Sequence, residues 1–195
     1  MKIVGLTGSI AMGKSDTLRI FAEEGVSTFD ADQIVHRLYA QGGRGVAAVE
    51  RLCPAAVVDG AVDRHRLSAA IERKPALLAE IERAVHPLVR QDLDRFLAAE
   101  RAKGTQIVVV DIPLLFETGR EKEFDAIVVV SAPAHVQKRR AMSRSGMTEK
   151  KFDLILSHQT SDAEKRLRAD YVVDTGADHE SARSQVRRIV SQLRA

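Results

Sequence analysis

The sequence predicts an α/β fold, a parallel five-stranded sheet with helices on both faces. Three observations carry that prediction. Apolar, β-branched runs of strand length alternate with stretches of helical spacing. One of them, Ile107-Val108-Val109-Val110-Asp111, is continuously apolar up to its last residue, the pattern of a strand buried on both faces of a parallel sheet. The first strand-to-helix junction reads Gly8-Ser9-Ile10-Ala11-Met12-Gly13-Lys14-Ser15 and fits the phosphate-binding pattern G-x-x-x-x-G-K-[ST].

Each element can be justified in order. Ile3, Val4 and Leu6 form a first strand ending at Thr7-Gly8. Leu18, Phe21 and Ala22 then fall at helical spacing, and Gly25 stops that helix. The motif therefore has the strand before it and the helix after it that a phosphate-binding loop needs. Its fixed positions match by chance in roughly one chain in a hundred. Gly8 and Gly13 let the backbone curl its N–H groups toward one anion, and the helix beginning near Lys14 adds its positive end. Lys14 supplies a point charge to the β- and γ-phosphates, and Ser15 a hydroxyl for Mg²⁺.

A second strand, residues 26–29, ends at Asp30-Ala31-Asp32, with a helix after it that sets Ile34, Val35 and Leu38 on one face. Residues 40–45, rich in glycine, break the pattern. From 46 to about 103 the spacing is helical, which predicts an insertion of several helices punctuated by Pro54, Gly60, Pro75 and Pro87. Further strands are predicted at 107–111, 126–130 and 171–174. Between them, helices are predicted from Pro133 to about Arg144 and from Thr148, as cap, to about Ser157. The C-terminal helix places Val186, Ile189, Val190 and Leu193 on one face and arginines on a solvated one. Gly8, Asp30, Asp32, Asp111 and Asp174 all fall at strand C-termini, where ligands of such sheets sit.

Composition narrows the function. The 195 residues suit one domain, 1–195, and 45% are hydrophobic. A formal net charge of +3 suits a small polyanionic ligand. No stretch combines dense Lys/Arg with aromatics, so no nucleic-acid partner is expected. Cys53 is the only cysteine, which excludes an intramolecular disulfide and a cysteine metal site. The N-terminal apolar run is too short for a signal peptide and no run approaches 18 apolar residues, so a soluble cytoplasmic protein without membrane contact is expected. The chain contains no Asn, and the guanine-reading N-K-x-D motif is therefore impossible.

Three clusters carry candidate chemistry. Two carboxylates, Asp30 and Asp32, end the second strand; one could accept a proton from an attacking hydroxyl or help hold Mg²⁺ through water, or Asp30 or Asp32 could cap the following helix, a task that suits one aspartate and leaves the second to be explained. Arg140 and Arg144, four apart on a predicted helix, share a face; the polar, Gly-containing "SRSGMTEKK" that begins at Ser143 and includes Arg144 has the composition of a mobile lid, and the alternative is two surface arginines. Asp111 is either a Mg²⁺ ligand through water or a polar strand end.

Taken in order, "GLTGSIAMGKS", "FDADQIVHRL", "VHPLV", "VVVDIPLLFE" and "KRLRADYVVD" resemble the dephospho-CoA kinase family over about residues 3–190. The resemblance implies a P-loop kinase-like fold with a helical acceptor-binding insertion (about 46–103) and a lid (about 139–168). It implies ATP and Mg²⁺ as cofactors and dephospho-CoA as acceptor of the γ-phosphoryl group on its ribose 3′-hydroxyl. Carried over by motif, Gly8, Ala11, Met12, Gly13, Lys14, Ser15, Asp16 and Arg144 would bind ATP. Lys14, Arg140 and Asp32 would be catalytic, Asp32 as base or orienting carboxylate. Asp32, His86, Pro113, Leu114, Leu115, Phe116 and Glu117 would face dephospho-CoA. Ser15 would hold Mg²⁺ with ATP, with Asp32 or Asp111 acting through water. Lys165 and Arg166 match a basic pair before the last strand, and the loop after it would lie near adenine. Without the resemblance, His86 could merely shape a helix start before Pro87, and Leu114, Leu115 and Phe116 could be core. The alternatives are another P-loop small-molecule or nucleoside monophosphate kinase, or a non-catalytic ATP-binding module.

The departures from the family pattern are Ser9, Ala11, Met12 and Asp16 in place of Gly, Gly, Ser and Thr, and Thr175 where Asn is common. Ala11 is unstrained only at negative φ. Asp16 puts a negative charge beside bound phosphate, and Thr175 casts doubt on a side-chain contact to adenine.

Overall fold

The computed structural model describes residues 1–195. In chain order the elements are β1 (Lys2–Thr7), α1 (Lys14–Glu23), β2 (Ser27–Asp30), α2 (Ala31–Tyr39), α3 (Val46–Leu52), β3 (Val57–Val58), β4 (Ala61–Val62), α4 (Arg64–Arg73) and α5 (Ala76–Ala102). There follow β5 (Ile107–Asp111), β6 (Ala126–Ser131), α6 (Ala134–Met142), α7 (Glu149–Ser157), α8 (Asp162–Leu167), β7 (Tyr171–Asp174) and α9 (His179–Arg194). The chain divides into two compact units, Met1–Phe29 with Glu100–Ala195, and Asp30–Ala99. No helix is long and apolar enough to cross a membrane.

The first unit holds the five-stranded sheet, in the order β2-β5-β1-β6-β7. β1 pairs in parallel with β5 and β6, and β6 with β7. Leu6 lies opposite Asp111, and Ser131 opposite Asp174, so these strands finish at one edge of the sheet. On one face, Val4, Leu6, Val109, Val128 and Val130 pack with Leu18 and Phe21 of α1 and Val186, Ile189 and Val190 of α9. Alternate residues Val108, Val110, Ile127 and Val129 are equally buried, as a strand covered on both faces requires. The arginine face of α9 is only partly the solvated face expected. Arg183 pairs with Glu23, and Arg187 Nε lies 3.0 Å from Glu24 Oε1, so two of its arginines meet the end of α1.

The second unit corrects two readings of the helical insertion. Residues 57–62 form an antiparallel hairpin rather than helix. Its turn is Asp59-Gly60, with φ of 50° and 73°, the double positive φ that an Asp-Gly hairpin turn demands. Pro87 does not punctuate: α5 runs through it for 27 residues. A proline inside a helix removes one N–H donor, here at an exposed position, and the neighbouring turns continue regardless. This unit starts at Asp30 and so takes in α2 as well as the block from residue 46.

In the first unit, Glu100 is buried and its carboxylate accepts hydrogen bonds from Ser27 Oγ at 2.6 Å, Thr105 Oγ1 at 2.7 Å and Lys103 Nζ at 2.7 Å. The Lys103 bond, then those of Ser27 and Thr105, lower its pKa from 4.5 to about 2. A depressed native pKa adds stability that is complete above the unfolded value and vanishes as pH falls through the native one. Glu100→Gln is therefore expected to lower Tm by a few degrees at pH 7. The gap to the parent protein should close between pH 4.5 and about 2 in thermal melts across that range.

Candidate functional site

The loop between β1 and α1 is shaped by two close approaches and one strained residue. A Cβ on Gly8 would lie 2.7 Å from the Val130 carbonyl oxygen, so the loop can run against β6 only if this residue is glycine. Gly13, at φ 91°, turns the chain into α1, and no side chain caps the first turn of that helix. Its N–H groups are left to face an anion, with the positive end of the helix behind them. Ala11 sits at φ 61°, not at the negative φ that would spare it strain. A left-handed non-glycine costs about 1–2 kcal/mol. Its methyl is buried with Ala141 and Phe152, and Ile10, Met142, Met147 and Leu156 pack around that cluster. Burying one such group contributes about 0.8 kcal/mol, which offsets much of the strain. Met12 is 2% exposed and its side chain is part of the main core, so only its backbone belongs to the loop surface.

Charge is concentrated where β1 and β5 end. The Lys14 ammonium pairs with both carboxylate oxygens of Asp111, which is itself buried. Ser15 is exposed at the start of α1. Asp16 accepts a hydrogen bond from Arg19 Nη2 at 2.9 Å, so its charge in the first helical turn is partly balanced by its own helix. No group of three or more His, Cys, Asp or Glu side chains is placed to hold a metal ion.

A cleft of about 410 Å³ opens beside the loop and is lined by Ala11, Gly13, Asp16, Arg140, Arg144 and Thr175, among others. α6 ends at Met142, so Arg144 is not on one helical face with Arg140. Its N–H bonds the Ala141 carbonyl in the turn that leads to Gly146 at φ 72°. Both arginines nonetheless line the same cleft. Arg140 donates to the Thr175 hydroxyl at 2.9 Å and to its carbonyl at 2.7 Å. That hydroxyl donates in turn to the Met12 carbonyl at 2.7 Å. Thr175 is thus a bridge between the loop and Arg140, a role that its sequence position alone did not signal.

The segment 113–117 divides by burial. The Pro113 carbonyl accepts from the Thr7 hydroxyl at 3.3 Å. Leu114 is 43% exposed, whereas Leu115 and Phe116 are buried and their side chains build core rather than a ligand surface. The Arg168 guanidinium lies 4.5 Å from the centroid of the Phe116 ring, a cation–π contact. Glu117 Oε1 accepts from the Thr160 N–H at 2.8 Å and lies 2.8 Å from Lys165 Nζ. Burial raises the Glu117 pKa, but the hydrogen bonds from Lys165, its own backbone and Thr160 outweigh it and leave the carboxyl below its ordinary value. Lys165 is fully buried, whereas its neighbour Arg166 is exposed, so the expected basic pair is one structural cation and one surface cation.

Asp32 and His86 belong to the other unit. Asp30 caps α2, accepting from the Gln33 N–H at 3.0 Å. Asp32, exposed in the first turn, is not needed for that task. His86 is exposed on α5, one residue before Pro87.

Comparison with known proteins identifies the kind of chain that carries this loop and cleft. The family model for dephospho-CoA kinase matches residues 2–180. A dephospho-CoA kinase of Mesorhizobium japonicum is 51% identical over 196 residues, 100% of this chain and 98% of that protein. The crystal structure of a Thermus thermophilus protein aligns with a TM-score of 0.82 at 30% identity, covering 98% of this chain and 96% of that one. Dephospho-CoA kinase from Campylobacter jejuni shares the fold, with a TM-score of 0.72 at 20% identity and the same coverage. With a match of this extent along its length, the chain belongs to the dephospho-CoA kinase family.

Proposed function

We propose that this chain transfers the γ-phosphoryl group of Mg²⁺-ATP to the ribose 3′-hydroxyl of dephospho-CoA, giving coenzyme A and ADP. The family match over residues 2–180 is the observation that carries the reaction and its substrates. The loop at residues 8–15, with its helix N-terminus and Lys14, supports the donor side.

In this reading the backbone N–H groups of Ala11 to Asp16 receive the ATP phosphates. Lys14 leaves Asp111 for the β- and γ-oxygens, an exchange of one anionic partner for another. Arg140 and Arg144, both on the cleft beside the loop, neutralise the equatorial oxygens as the lid at about 139–168 settles. Mg²⁺ fits the donor set: the Ser15 hydroxyl and the Asp111 carboxylate are hard oxygen ligands. A cation that keeps several waters and binds mainly through phosphates needs no cluster of protein carboxylates. When bound, it neutralises charge on the β- and γ-phosphates. Asp32 orients the 3′-hydroxyl and takes its proton, a role open to it because Asp30 already caps α2. His86, Pro113 and Leu114 contact dephospho-CoA, while Leu115, Phe116 and Glu117 hold that segment in place. Phosphoryl transfer has a loose transition state, so charge and position outweigh deprotonation.

The test is a Mg²⁺-ATP assay that reads coenzyme A by mass, with dephospho-CoA beside AMP, CMP, shikimate and no acceptor. Product is expected with dephospho-CoA alone; product only with another acceptor would reject the reading. Asp32→Asn is expected to lower turnover by about 10²–10⁴-fold with ATP affinity little changed. A near-parental rate would remove Asp32 from the mechanism. Lys14→Ala should lose still more, since it withdraws charge from the transferring group itself. Single-turnover rates at saturating ATP would check that order.

A further inference from the structure

Ile10 is held at both of its peptide groups by glutamines that stand far from it in the chain. Its N–H donates to Gln159 Oε1 at 3.1 Å, and its carbonyl accepts from Gln137 Nε2 at 2.9 Å. The backbone partners fix which end of each amide is oxygen and which is nitrogen. Gln137 is buried on α6, and Gln159 follows α7. The segment 138–158 is therefore bounded at each end by a side chain that grips one residue of the loop. That segment also supplies Ala141, Phe152, Met147 and Leu156, the apolar group packed around Ile10 and Ala11.

A trans peptide points its C=O and its N–H in opposite directions. With the Ile10 carbonyl turned toward Gln137, the Ala11 N–H faces the other way. With the Ile10 N–H turned toward Gln159, the Ser9 carbonyl faces the other way, and there it accepts the Met12 N–H at 3.2 Å. Two residues on from Ile10, the Thr175 hydroxyl holds the Met12 carbonyl in the same manner. The hold bears on a strained point, because rotation of the Ile10–Ala11 peptide is what a φ of 61° at Ala11 would relax.

We propose that Gln137 and Gln159 are positioning residues of the nucleotide site: they aim the Ala11 N–H at the phosphates and join the order of the loop to the order of segment 138–158. This rests on the reading of residues 8–15 as the ATP loop, and neither glutamine touches substrate. The tie runs both ways by linkage. An anion that orders the loop also orders the segment that carries Arg140 and Arg144.

The variants Gln137→Met and Gln159→Met keep side-chain length and remove the hydrogen bonds. Isothermal titration of each with Mg²⁺-ATP, without acceptor, is expected to give a Kd raised about tenfold, the usual consequence of one lost hydrogen bond that leaves a backbone group unpaired. The KM for dephospho-CoA should change less than twofold. Gln159→Glu retains the acceptor oxygen and should recover most of the affinity lost in Gln159→Met. Gln137→Glu faces an acceptor with an acceptor and should be worse than Gln137→Met. Trypsin cleavage at Lys138, Arg139, Arg144, Lys150 or Lys151 reports the segment, and half-protection should need about ten times more ATP in either Met variant. Tm is measured alongside. Glutamines that only supported the fold would lower Tm and the active fraction but leave the Kd of the folded protein and its protection at parental values, and that result overturns the proposal. ATP binding needs no acceptor, so a failed coenzyme A assay with the parent protein would count against the reaction and not against this inference.

Discussion

Backbone N–H groups can meet one anion together only if the chain that carries them is held from behind. The rest of the first unit follows from that constraint. The loop after β1 runs flush against β6 at Gly8, turns at Gly13 and takes a left-handed conformation at Ala11. None of these is a resting state of an ordinary chain. Each is stabilised by something outside the loop: the sheet edge beneath it, the hydroxyl of Thr175, and the side chains that reach it from α6 and from the end of α7.

Two ion pairs show how the unit treats cations differently according to their use. Lys165 is fully buried and shares Glu117 with a backbone N–H, in a setting that fixes the segment after β5 against the start of α8. Removing one partner of such a pair would leave a charge in a poor solvent, which makes it a structural commitment. Lys14 pairs with Asp111 at the loop and retains some exposure, and under the proposed reaction it would exchange that partner for a phosphate. In that reading the same chemistry is a strut in one place and a relay in the other.

The strands and the loop were legible because their signals are local. Residues 107–111 and 126–130 can be buried only as a central sheet, and the glycines, lysine and serine of the loop follow one another in order. The hairpin at 57–62 was equally local, since Asp59-Gly60 lies between apolar pairs, but the helical spacing on either side masked it. Pro87 misled in the opposite sense: a proline predicts a break, and a long helix with strong formers on both sides absorbed it. Arg144 was placed on a helix that stops two residues earlier. What no spacing discloses is long-range pairing. Thr175 meets Met12 across 163 positions, and Gln137 meets Ile10 across 127. Nor does the sequence say which of Lys165 and Arg166 turns inward, because that depends on where Glu117 arrives.

The way segment 138–158 is moored also bears on how freely it can change. Both of its ends converge on the backbone of Ile10, so the stretch is in effect a closed excursion from a single point. For a flexible stretch, the entropy of closure grows only with the logarithm of length, about 0.6 kcal/mol for each doubling. Within this excursion that freedom is confined to the exposed turn around Gly146, because Ala141, Met147, Phe152 and Leu156 on either side of it pack on Ile10 and Ala11. Residues could be gained or lost at that turn, and there alone, while the geometry beneath stays as it is.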